Sequence, residues 1–249
     1  MLISTSAIVL KTIPYGDTSI IARLFTEEEG KISVIAKGAW RPKKTVGVLL
    51  EPMKHIHIQY YNKNSRDIQI LKDVSLIHEF STLRSQLDRI ILGQVIIEIL
   101  DKSTPNNNPL PILYRLVWRV LNKMNDLSLN YWQIFAFYLY QLSIRHGFMP
   151  NLTTCSQCSK SLKCAAIDNR LGELICDNCA HKNEFFLDKD SLVFLQKLEK
   201  VHLDNISSEL NNSVEMFNAI HFLEIFSCIH IEGMSRVRSL DMVKKLLSK

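Results

Sequence analysis

The chain contains no apolar run long enough to cross a bilayer. Its most hydrophobic helical stretch, WQIFAFYLYQLSI (132–144), falls short of the ~20 residues that a spanning helix requires. The opening apolar patch reads as a strand better than as a secretion signal, because no basic residue precedes it and Lys11 and Asp17 come early. These absences set the expectation of a cytoplasmic protein. There is no internal repeat, which excludes a solenoid, and no low-complexity tract. None of G-x-x-x-x-G-K-[ST], G-x-G-x-x-G, H-E-x-x-H or G-x-S-x-G occurs, and the eight histidines are scattered, so hydrolase and nucleotide-dependent chemistry find no support. A dominant charge is lacking too. Thirty basic residues against 25 acidic ones leave +5, which permits a nucleic-acid partner without requiring one.

What is present is enough apolar material, 47% of 249 residues, for one large domain or two smaller ones. The first 76 residues read as strand: LISTSAIVL, two runs around the turn Glu28-Glu29-Gly30, then KHIHIQYY and DIQILKDVSLI. Five short strands with turns between them suggest a small closed barrel. His55 and His57 share one strand face, as ligands or as ordinary surface residues. From Ser81 the period becomes helical, and Leu83, Leu87, Ile90, Val95 and Ile99 predict one largely buried helix. The Pro-rich loop 101–111 suits a helix start. Helices are then expected near 112–124, 131–145, 191–201, 214–230 and 235–247. The predicted class is α+β: residues 1–79 form a five-stranded barrel domain and residues 80–249 a helical domain, with a cysteine module inserted at about 150–183.

Four of the six cysteines form two C-x-x-C pairs, Cys155/Cys158 and Cys176/Cys179, separated by residues 159–175. That spacing fits a four-thiolate zinc site, because each C-x-x-C turn aims two sulfurs to one side and two turns complete a tetrahedron. Clustered pairs in a reducing compartment favour metal over disulfide. Four thiolates also close the coordination shell, which favours a structural role over a catalytic one. The intervening AAIDNRLGELI reads as a hairpin turning at Asp168-Asn169, which makes the segment zinc-ribbon-like. Cys164 reads as a small core residue or free thiol, and His181 as an alternative ligand or a bystander.

Between Lys31 and Leu50 stand five basic residues, Lys31, Lys37, Arg41, Lys43 and Lys44, and no acidic one. Lysine and arginine neutralise phosphates, and Trp40 among them can stack on an unpaired base. The same stretch is equally consistent with a solvated loop whose Trp40 tucks against the barrel end. Arg23, Lys54, Lys63, Arg66 and Lys72 can extend such a surface. Arg115, Arg119 and Lys123 recur every four residues on one helix face beside Leu116, Val117 and Val120. That face is either solvated charge or a docking surface for an acidic peptide.

The order of these parts resembles the RecO family of bacterial DNA repair and recombination mediator proteins. AIVLKTIPYGDTSIIARLFTEEEGKISVIAKGAWRPKK is similar to the family's opening barrel and basic loop, RHGFMPNLTTCSQC to its entry into the zinc module, and SRVRSLDMVKKLL to its last helix. The resemblance implies an N-terminal OB-fold, a helical domain and a structural zinc on Cys155, Cys158, Cys176 and Cys179. It implies a non-enzymatic protein of the bacterial nucleoid that binds single- and double-stranded DNA and anneals strands. It further implies help in loading the recombinase onto strands coated by single-stranded-DNA-binding protein. The basic stretch, with Arg23 extending it, supplies the DNA-binding candidates Lys37, Trp40, Arg41, Lys43, Lys44 and Arg23. The implied partners are RecR and the acidic tail of the single-stranded-DNA-binding protein, and the helix face of Arg115, Arg119 and Lys123 is the candidate site for the tail. A zinc-stabilised adaptor that contacts only proteins is the alternative.

Overall fold

The computed structural model describes residues 1–41, 45–168, 170–181, 184–210 and 214–247. The chain divides into two compact units, one of Met1–Asn125 with Val237–Leu246, the other built on Asp126–Arg236.

The first unit opens with β1 (Leu2–Tyr15), β2 (Ser19–Thr26), β3 (Gly30–Ala36), β4 (His55–Tyr61) and β5 (Ile68–His78). They close into a barrel in the order β1-β2-β3-β5-β4, with β3 and β5 parallel and the other pairs antiparallel. This is the predicted OB-like barrel. β1 is long enough to serve two neighbours: its first half pairs with β4, its second half with β2, and the register slips between Val9 and Lys11. Such a bulge bends the strand and lets the sheet close. Alternation along the strands puts Val9, Ala22, Leu24, Val34 and Ile58 into the core. Gln69, though polar, is also buried, because its carboxamide clamps the β4–β5 loop: its oxygen accepts from Lys63 N at 2.9 Å and its nitrogen donates to Arg66 O at 2.7 Å.

A short helix, α1 (Val46–Leu49), lies between β3 and β4, and α2 (Ser81–Ser85), α3 (Leu87–Ser103) and α4 (Pro111–Met124) follow the barrel. The single helix predicted from Ser81 is therefore two. Gln86 is extended (φ −114°, ψ 127°) and breaks it. The break leaves Leu87 at a helix start, 69% exposed, where a continuous period places it in the core. α4 starts on Pro111, as the Pro-rich loop suggested.

The second unit holds α5 (Tyr131–Arg145), α6 (Lys189–Lys200), α7 (Ile206–Glu209) and α8 (Val214–His230). Asn130 caps α5, its side-chain oxygen accepting from Trp132 N at 2.8 Å. α5 packs against both α6 and α8, so apolar residues ring it rather than line one face. Between α5 and α6 a small sheet runs in the order β7-β6-β8: β6 (Ala165–Ile167), β7 (Leu174–Ile175) and β8 (Phe186–Leu187). β6 and β7 are the predicted hairpin, whereas the two-residue β8 carries too little pattern to read. The chain closes with a 3-10 turn at Met234–Arg236 and α9 (Leu240–Leu247), where one helix from 235 was expected. No described helix is long and apolar enough to cross a membrane.

Candidate functional site

Two tight turns build the cysteine cluster. In the first, Cys155 N donates to Lys160 O at 2.8 Å and Ser159 N to Cys155 O at 2.9 Å; in the second, Cys179 N donates to Cys176 O at 3.0 Å. Ser156 N donates to Leu174 O at 3.0 Å and ties the first turn to β7, which leads directly into Cys176. The result gathers the Sγ atoms of Cys155, Cys158, Cys176 and Cys179 within 4.8 Å of one another. Four sulfurs at ~2.3 Å from a tetrahedral zinc stand about 3.8 Å apart, so this spacing needs only slight contraction around an ion. Cys158 and Cys176 are already 3.6 Å apart.

The local electrostatics also suit a cation. Burial pushes the Cys155 thiol up, but backbone N–H groups of Cys176, Cys158 and Gln157 outweigh it and bring it down to about 6. Hydrogen bonding to Cys158 and Cys176 holds Cys179 up at about 12. Cys155 is thus favoured as a thiolate while Cys179 is held as a thiol, a conflict that a cation bound between them would relieve. The residues fit a metal ion with a complete four-sulfur shell. Among the described residues the donor group is these four, and Cys164 and His181 fall outside it. The predicted turn residue Asp168 is buried, and its carboxylate accepts from Arg170 N at 2.8 Å; Asn169 lies outside the described residues.

The basic stretch follows β3. Lys37, Trp40 and Arg41 share one exposed turn, closed by Arg41 N donating to Gly38 O at 3.2 Å and tethered by Trp40 N donating to Thr18 O at 3.0 Å. Trp40 is 52% exposed. Lys43 and Lys44 lie outside the described residues. Arg23 is elsewhere, on the outer wall of β2, where its guanidinium meets both carboxylate oxygens of Asp101 at 3.0 Å.

Two of the basic residues counted in the sequence do not belong to an open surface. Lys31 is buried: its ammonium donates to the Asp101 and Thr104 carbonyls at the end of α3 and stands 3.8 Å from the Asp101 carboxylate. Burial pulls it below its ordinary 10.5, against Asp101, which pushes it up. Lys54 is buried as well, donating to Val48 O at 2.8 Å beside Glu51. Lys31 is short of open water because the later end of α3 folds over it, and Lys54 because it turns back onto the preceding α1 and Glu51.

On α4, Arg115 is exposed and 3.8 Å from Glu27, while Arg119 and Lys123 are half-buried. Their expected apolar companions Leu116, Val117 and Val120 face the core instead; the exposed apolar residues of this helix are Ile112 and Trp118. His55 and His57 share the outer strand face, but α4 covers the first. His55 Nε2 and the Tyr114 hydroxyl hydrogen-bond at 2.8 Å, and His57 meets Ser4 Oγ at 2.8 Å. Neither histidine belongs to a metal-binding group among the described residues.

Comparison with known proteins agrees with this layout. The family model described as "Recombination protein O N terminal" matches residues 1–80, and "Recombination protein O C terminal" matches residues 84–220. The DNA repair protein RecO of Salinibacter ruber is 37% identical over 149 residues, 60% of this chain and 57% of that protein. The RecO of Pelodictyon phaeoclathratiforme is 27% identical over the full length of both chains, and that of Bacillus pumilus 24% identical over 99% of this chain and 98% of its own. With a barrel, a helical part and a four-cysteine cluster in the expected order, this chain belongs to the RecO family of DNA repair proteins.

Proposed function

We propose that the chain is a non-enzymatic DNA-binding mediator of recombinational repair. It binds single- and double-stranded DNA, anneals complementary strands and helps load the recombinase onto strands coated by single-stranded-DNA-binding protein, acting at the bacterial nucleoid. Membership in a family of DNA repair proteins carries this reading, and the exposed Lys37–Arg41 turn supports it. Annealing needs no bond chemistry. It needs two polyanions held close with their repulsion neutralised, which cationic side chains at a barrel end supply. Lys37, Trp40, Arg41, Lys43, Lys44 and Arg23 form the proposed contact set, with Arg23 the lesser member because Asp101 already holds it. Zinc is the proposed ion of Cys155, Cys158, Cys176 and Cys179, and it supplies cross-linking of the two turns rather than chemistry.

Replacing Lys37, Arg41, Lys43 and Lys44 together is expected to weaken single-strand binding and flatten its salt dependence. If each residue meets one phosphate, the slope of log affinity against log salt falls by about 3. An unchanged slope removes these residues from the interface. A wild-type protein that binds no strand at low salt leaves the zinc-stabilised adaptor as the reading.

RecR and the acidic tail of the single-stranded-DNA-binding protein are the proposed protein partners. Co-elution of RecR with this chain checks the first, and separate elution at micromolar concentration counts against it. Arg115, Arg119 and Lys123, with exposed Ile112 and Trp118, form the proposed tail surface, since an acidic and apolar peptide needs cations and apolar contact together. Arg115→Ala is expected to weaken binding of the tail peptide several-fold in a titration, and equal affinity moves the site elsewhere.

A further inference from the structure

Two glycines, Gly38 within the exposed turn after β3 and Gly47 in α1, have the space their side chains would fill occupied by side chains of that turn. The Trp40 indole lies against Gly47 in α1. A Cβ at Gly47 stands 2.8 Å from Trp40 Cε3 and Cζ3 and 3.1 Å from Cδ2. These atoms belong to one rigid ring, so a methyl group there has to move the whole indole. The Arg41 side chain lies over Gly38 in the same manner: a Cβ at Gly38 stands 3.0 Å from Arg41 Nε and 3.1 Å from Cδ. Gly38 also has φ +68°, which L side chains rarely adopt. Gly38, Ala39 and Gly47 are buried, yet Trp40 keeps 52% of its surface exposed. The indole therefore rests on α1 with part of its surface open, and the Trp40 N–H to Thr18 holds its backbone.

We infer that Trp40, seated on Gly47, is a preformed stacking platform for one unpaired base, with Arg41 and Lys37 placed to take the adjoining phosphate. The inference rests on the DNA-binding reading and adds a preference to it. An aromatic side chain already fixed in place loses little conformational freedom when a base stacks on it, which raises affinity. Bases within a duplex are already covered by their neighbours, so the platform serves single strands. Phosphate contacts serve both forms alike. The seat is a loop feature of KGAWR and Gly47, outside the barrel strands, and no spacing rule connects Trp40 to a glycine seven residues on.

The test uses the full chain and three labelled DNA ligands: a short single strand, the same backbone with abasic sites throughout, and the duplex. Affinities are read by fluorescence anisotropy. The wild type is expected to bind the base-bearing strand about tenfold more tightly than the abasic one, within the range for a single stacked base. Trp40→Ala closes that gap, so that base-bearing and abasic affinities become equal, Gly47→Ala narrows it, and Trp40→Phe preserves most of it. Equal wild-type affinity for base-bearing and abasic strands overturns the platform while phosphate binding stands. So does a Trp40→Ala variant that weakens all three ligands alike. Failure to bind any of the three overturns the DNA-binding reading itself. The wild-type comparison needs no variant to fold.

Discussion

A single buried carboxylate, Asp101, holds two cations of the barrel, Arg23 and Lys31, with Lys31 also donating to the last carbonyls of α3. Seventy positions separate Lys31 from Asp101, so nothing local distinguishes Lys31 from the exposed Lys37 that follows it. His55 presents the same problem with a sharper consequence. Burial, reinforced by the nearby charge of His78, lowers it from 6.5 to about 4. The unfolded chain therefore binds a proton between those values that the folded chain refuses. The stabilisation is complete above pH 6.5 and is lost as pH falls towards 4, on the order of 3 kcal/mol in total. His55→Gln is expected to flatten that acid limb in urea titrations run at successive pH values. An identical limb means that His55 is not the group that refuses the proton. In the sequence His55 and His57 looked equivalent because strand alternation places them on one face; only the packing of Tyr114 tells them apart.

The cysteine module is the element most nearly complete in its own residues. Two C-x-x-C turns and a hairpin are local structures, so spacing alone located all four donors. Cys176→Ser is expected to lower the melting temperature and the metal content, measured by calorimetry and elemental analysis. DNA affinity of the folded fraction should stay within about twofold. A large affinity loss with the metal retained reverses that assignment. How the hairpin meets α8 was not legible. Gly172, at φ +69°, sits so close to the end of α8 that a Cβ there falls 2.8 Å from Ile229 Cγ2 and closer still to His230, whose ring lies against Phe148 and Phe226. Helix periodicity read α4 correctly as an element but misjudged its outward face. Leu116, Val117 and Val120 flank the cations in sequence, yet the neighbours that bury them come from other parts of the chain.

Across the whole molecule, the first unit is completed by the last helix. Glu98 in α3 accepts from Arg238 N at 3.2 Å, Ser239 N at 3.0 Å and Ser239 Oγ at 2.5 Å, and so caps the start of α9. Burial pushes the Glu98 carboxyl up, but these hydrogen bonds outweigh it and hold it below its ordinary 4.5. The contribution is thus present above pH 4.5 and is lost as pH falls through the lowered value. Glu98→Ala is expected to cost about 1–3 kcal/mol at neutral pH and less in acid, measured by chemical denaturation. A pH-independent loss assigns Glu98 a packing role instead. By itself, the order of residues determined the strand and helix alternation, the barrel at the N-terminus and the four-cysteine cluster, because each rests on periodicity or spacing within a few dozen residues; the family followed from a resemblance in the order of parts along most of the chain. Tertiary structure alone decided which cations remain in water, that Trp40 rests on Gly47, and that Val237–Leu246 returns to the first unit. These depend on contacts between distant segments, and burial is a property of the assembled surface that no local pattern carries.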